Sequence, residues 1–192
     1  MTNIYFVRHC ESDHRVRDEM TRPLSRKGER DCALVSAYLE DKGVSLVTSS
    51  PYKRAYETVA PFAKERGLNI LCMDGFKEWR IGENRDADFT ALLKRCWTDF
   101  DYKLTSGENL HEVQVRNIDT LSTLRRAHPN EAIAIGTHGM ALSTIVNHFD
   151  KTFDFNRFTE IVHLMPWVVR LTFDGDACTA IESINLFTLK KP

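Results

Sequence analysis

The stretch "NIYFVRHCES", residues 3–12, drives apolar and aromatic side chains straight into an arginine and a histidine, followed by a small residue and a glutamate. A short, continuously apolar run of this kind is expected of a strand buried on both faces. A second stretch, "EAIAIGTHGM" at 131–140, has the same form and ends in His138 and Gly139.

Between and around these two runs, strand and helix signals alternate. "LSRKGERDCALVSAYLEDKG" has helical spacing, with Ser25 as its cap and Gly43 as its stop. "VSLVTSS" and "NILCMD" read as strands. "SPYKRAYETVAPFAKERG" between them reads as a helix with Ser50 at the N-cap, Pro51 at the first helical position and Gly67 at the end. Pro61 marks a kink or interruption in it. "DFTALLKRCWTDF", "GENLHEVQVRNIDTLSTLRRAHP" and "ALSTIVNHF" carry further helical periodicity. "WVVRLTF" and "CTAIESINLF" read as a terminal hairpin around "DGDA". Such alternation predicts an α/β fold with a mostly parallel central sheet flanked by helices, the closing pair adding antiparallel edges, in one domain spanning 1–192.

Composition excludes several function classes. The 192 residues carry a formal net charge of −1, with 42% hydrophobic and 28% charged residues, so bulk charge predicts neither a nucleic-acid nor a membrane partner. Five scattered cysteines (Cys10, Cys32, Cys72, Cys96 and Cys178) form no CxxC pair and read as free thiols of a reducing compartment. No signal peptide precedes the first strand, and no apolar run approaches the ~18 residues a membrane span needs. The expected location is cytoplasmic.

In open α/β sheets, ligands bind beyond the carboxyl ends of the strands, which makes His9 and His138 candidates for one crevice. "LVTSSPYKR" brings a third strand end and the start of a helix carrying Arg54. A cation in a first helical turn opposes the helix dipole, so Arg54 is best explained by a bound anion facing it. Two arginines, two histidines and a helix N-terminus describe a phosphate pocket, since a guanidinium donates parallel hydrogen bonds to phosphate oxygens.

"VRHCES", "TSSPYKRAYETV" and "GTHGM" together resemble the histidine phosphatase superfamily, the phosphoglycerate-mutase-like group. That family shows an Arg-His-Gly-Glu opening, a Ser-Ser-Pro-x-x-Arg-Ala segment and a late His-Gly. "PLSRKGERDC", "KEWRIGE" and "SGENLHEVQVR" extend the similarity over nearly the whole chain. The resemblance implies a three-layer α/β sandwich with a small lid segment, here about 79–107, and a phosphohistidine intermediate. Carried over, His9 is the nucleophile, Arg8, Arg54 and His138 bind the transferring phosphoryl group, and Glu78 is the general acid, with Glu83 its main rival. No metal or other cofactor is expected.

Three positions invite separate comment. Cys10 stands where the family has glycine and reads first as a tolerated small residue, though a thiol beside the nucleophile would make activity oxidation-sensitive. Arg15 stands where many members carry a substrate-touching asparagine; Arg15 and Arg17 are candidates for a basic rim. Glu108 is either a substrate-side group or a helix-start acid. The aromatic residues Trp79, Phe89, Trp97 and Phe100 read as core in preference to a substrate platform. The expected activity is phosphomonoester hydrolysis on a small phosphorylated metabolite. A mutase and a non-catalytic phospho-ligand module are the alternatives. Oligomeric state is not legible in the sequence.

Overall fold

The computed structural model describes residues 1–83 and 88–189. Among them β1 (Thr2–Arg8), β2 (Val44–Ser49), β3 (Ile70–Cys72), β4 (Ala132–Thr137), β5 (Trp167–Asp174) and β6 (Ala177–Ile184) form one sheet in the order β3-β2-β4-β1-β5-β6. The first four strands pair in parallel, while β5 joins β1, and β6 joins β5, antiparallel. The terminal hairpin therefore forms one antiparallel edge, turning at Gly175 with φ 56.

Burial on both faces explains the apolar run in β1. Ile4 and Phe6 enter an apolar cluster with Ile133, Ile135, Leu142 and Ile145. Tyr5 and Val7, pointing the other way, enter a second cluster with Val35, Leu39, Val59 and Phe62. The second cluster is closed by α1 (Arg26–Leu39) and α2 (Lys53–Glu65), and the first by α4 (Leu110–Ala127) and α5 (Gly139–Phe149). Sheet and helices make the three layers.

Ser25 caps α1, its hydroxyl accepting from the Gly28 amide at 3.1 Å. A Cβ on Gly28 would stand 2.1 Å from the Glu11 carbonyl oxygen, so only glycine lets α1 approach the loop behind β1. The second helix differs from the sequence expectation. It begins at Lys53 with Tyr52 at the cap, leaving Ser50 and Pro51 outside. Ser50 is held by the sheet instead, its amide donating to the Gly136 carbonyl at 2.8 Å. Pro61 lies inside α2 without interrupting it.

The segment anticipated as a lid, about 79–107, includes residues 84–87, which lie outside the described residues. Within it, α3 (Phe89–Thr98) packs Trp97 against Phe153 and Phe158, the latter on α6 (Phe155–Ile161). Trp79, Trp97 and Phe100 belong to the apolar core, as the helical spacing suggested, whereas Phe89 is exposed. The short helix α6 had no sequence expectation; Asp154 caps it by accepting from the Arg157 amide. No helix among the described residues is long and apolar enough to cross a membrane.

Strand register levels the ends that matter. Arg8 pairs with Thr137 and Ser49 with Gly136, and the His9 amide continues the ladder to the Thr137 carbonyl at 3.0 Å. The chain thus leaves β1, β4 and β2 side by side, at His9, His138 and Ser50.

Candidate active site

His9 is fixed at both ring nitrogens. Its Nδ1 lies 2.7 Å from the Cys10 carbonyl oxygen, which can only accept, so Nδ1 carries the hydrogen. Nε2 keeps a lone pair, and there it accepts from Arg54 Nε at 3.2 Å. Burial, then the guanidiniums of Arg54 and Arg8, hold His9 well below the usual imidazole range. The ring is neutral, with an oriented lone pair on Nε2.

Arg8 and Arg54 are both buried, at 8% and 2% exposure. Arg8 Nη1 donates to the carbonyls of Ile161 and Leu164 at 3.1 and 3.2 Å, while its Nε has no protein partner. Burial lowers Arg8 to about 10, with the Glu78 carboxylate acting the other way, so it stays charged at neutral pH. A Cβ on Gly139 would come within 3.1 Å of the Arg8 guanidinium, which explains glycine after His138. Arg54 sits at the second position of α2 and donates through Nη1 and Nη2 to the Glu19 carbonyl and carboxylate, at 2.7 and 2.8 Å.

His138 is wholly buried, with its ring centroid 5.4 Å from that of His9. Its Nε2 is 2.8 Å from Ser50 Oγ, and its Nδ1 is buried without a protein partner. Burial, followed by Arg54 and His9, pushes it well below the usual imidazole range. A phosphate dianion beside it would act in the opposite direction and favour the donor form.

Glu78 meets this group at the start of α5. Its Oε1 accepts from the amides of Trp79 and Ala141 at 2.8 and 3.0 Å, and its Oε2 from Met140 at 3.2 Å. The carboxylate thus sits on the N-terminal amides of the helix that His138 begins. Arg116 on α4 holds the incoming segment, with Nη1 donating to the Gly75 and Lys77 carbonyls, each at 2.8 Å, and Nη2 to the Glu78 carbonyl at 3.1 Å.

Glu108 does not lie in a first helical turn, because α4 begins at Leu110 and Asn109 caps it. Its carboxylate accepts from Arg116 Nε at 2.8 Å and from the Arg80 amide at 3.0 Å. Burial raises its pKa, but Arg116 and the Arg80 amide outweigh this and leave it below the usual range. Glu108 braces the Glu78 segment. Glu83 is exposed, and its amide donates to the Thr105 carbonyl at 3.0 Å. Arg15 is exposed and paired with Asp13 at 2.6 Å, and Arg17 is exposed.

Cys10 is fully buried, its sulfur 3.9 Å from that of Cys32. The neighbouring thiol and burial both push the Cys10 thiol up, which keeps it protonated and unreactive. Ser50, Arg116 and Glu19 are the site residues that sequence reasoning missed. Ser50 lies within the Ser-Ser-Pro motif, where its local signal is that of a helix cap; Arg116 and Glu19 carry no local signal.

Residues 4–186 match the family model described as histidine phosphatase superfamily (branch 1). The chain belongs to the histidine phosphatase superfamily. Among its relatives, the uncharacterised phosphatase PhoE of Bacillus subtilis is 30% identical over 150 residues, covering 76% of each chain. A probable phosphoglycerate mutase, GpmB of Cronobacter sakazakii, is 25% identical over 159 residues, covering 77% of this chain and 74% of its own. The solved structure of Bacillus stearothermophilus YhfR superposes with a TM-score of 0.74 at 24% identity, over 93% of this chain and 94% of that one, and shows the shared fold. This histidine phosphatase is an enzyme of phosphomonoester chemistry.

Proposed function

We propose that this histidine phosphatase hydrolyses phosphomonoesters through a phosphohistidine on His9, with Glu78 as general acid. The observation that carries the reading is the neutral His9, whose Nε2 lone pair faces the buried Arg54 guanidinium. Nε2 attacks phosphorus, the bond to the ester oxygen breaks, and that oxygen takes a proton from Glu78. Water then attacks the phosphorus of phospho-His9 and gives its proton back to Glu78, and inorganic phosphate leaves. Arg8, Arg54 and His138 offset the charge on the phosphoryl oxygens, where positioning and electrostatics supply most of the acceleration.

The proposed substrate is a small phosphorylated metabolite, and the proposed setting is the cytoplasm, supported by five free thiols. The likeness to a probable mutase supports a second reading, in which the phosphoryl group returns to another oxygen of the same molecule. Incubation with p-nitrophenyl phosphate and a panel of phosphorylated metabolites separates the two. Hydrolysis releases inorganic phosphate in step with substrate loss, whereas relocation without free phosphate contradicts it. The acid is tested by Glu78→Gln. An alkyl phosphate, whose leaving group needs a proton, should slow by about 10²–10⁴-fold, and p-nitrophenyl phosphate far less. Equal losses on both remove Glu78 from that role.

A further inference from the structure

We propose that Glu19 is an internal anion that occupies Arg54 in the resting site and must be exchanged for the substrate's phosphate before His9 reacts. The proposal rests on the phosphatase reading above and assigns that site a residue which sets its affinity for phosphate.

The Arg54 side chain is 3% exposed, yet the Glu19 side chain that it holds is 54% exposed. Arg54 is engaged on two sides. Nη1 and Nη2 donate to the Glu19 carbonyl and to Oε2, while Nε donates to the His9 lone pair. Arg22 pairs with the other Glu19 oxygen, Oε1, at 2.6 Å. The loop carrying these groups is tied down by its backbone. The Lys53 amide at the start of α2 donates to the Met20 carbonyl at 2.9 Å, the Asp13 amide to Pro23, also at 2.9 Å, and Arg22 Nε to Val16 at 2.8 Å.

A carboxylate and a phosphate make the same charge-assisted hydrogen bonds to a guanidinium, but the phosphate dianion brings more charge and more oxygens. Exchange leaves Glu19 in water beside Arg22, so no charge is stranded in the interior. It also frees the nucleophile: once Arg54 N–H groups turn to phosphate oxygens, the Nε2 lone pair is available for attack. Competition of this kind lowers the affinity for phosphate to the fraction of its intrinsic value set by the sites that Glu19 leaves free. It thereby helps the product to leave.

The test is calorimetric titration of inorganic phosphate into the parent, Glu19→Gln, Glu19→Ala and Asp13→Asn at constant ionic strength. Asp13→Asn removes a negative charge from the same loop without touching Arg54. Both Glu19 variants should bind phosphate about tenfold more tightly, with Asp13→Asn within twofold of the parent. Unchanged or weaker binding by the Glu19 variants overturns the proposal, as does equal tightening by Asp13→Asn. Because binding is read without turnover, a parent that binds phosphate but releases none from esters sinks the hydrolase reading and leaves the Glu19 comparison intact.

Discussion

His138 is fully buried, and its depressed basicity has a consequence for stability. In the unfolded chain an imidazole titrates near ~6.5, so below that pH the unfolded state takes up a proton that the folded site resists. The contribution is therefore fully present above ~6.5 and is lost as pH falls toward the lower folded value. His9 acts in the same sense. The unfolding free energy should fall between pH 7.5 and 5.5, by up to ~1.4 kcal/mol per pH unit for each histidine, and the urea midpoint should fall with it. His138→Gln should narrow that fall; a parent midpoint that is flat across the range contradicts the burial argument. At this scale, His9, Arg8, Arg54 and His138 were legible because each ends a strand or begins a helix within a short motif. Ser50 and Glu19 were not, because their partners lie 88 and 35 residues away and a polar residue in a loop announces nothing about them.

The elements turn these residues into a site through two close approaches. The start of α5 carries His138 at its cap, the Glu78 carboxylate on its amides and the Arg8 guanidinium against Gly139. Gly139→Ala should push Arg8 aside by a few tenths of an ångström and lower kcat/KM by roughly tenfold with little change in thermal midpoint; full activity would show that this contact is not needed. On α4, Arg116 gathers three carbonyls and Glu108, which makes it a positioning residue for Glu78. Arg116→Met should destabilise the fold by about 2–3 kcal/mol. It should also reproduce the leaving-group dependence of Glu78→Gln, which a purely structural role would not. The helical periodicity of α4 was plain in the sequence, but which of its arginines turned inward was not. The start of α2 was misplaced by the Ser-Pro signal, because Ser50 is claimed by the sheet and by His138 before it can cap anything.

Across the whole molecule, β4 lies between β1 and β2, and that insertion brings three strand ends to one rim. Alternation of apolar runs and helical periods was enough to read an α/β fold, and the terminal hairpin was legible from its turn. Strand order was not, since it depends on pairings such as Val7 with Gly136, more than a hundred residues apart and without local trace. The same architecture buries Arg8, His9, Arg54 and His138 at that rim. The direct measurement is to quench turnover of a labelled phosphomonoester in base, digest the protein and map the label. The account predicts an acid-labile phosphoryl group on the peptide containing His9, absent from His9→Ala, which also ceases to release phosphate. Label on a different residue, or release of phosphate by His9→Ala at the parent rate, would contradict it.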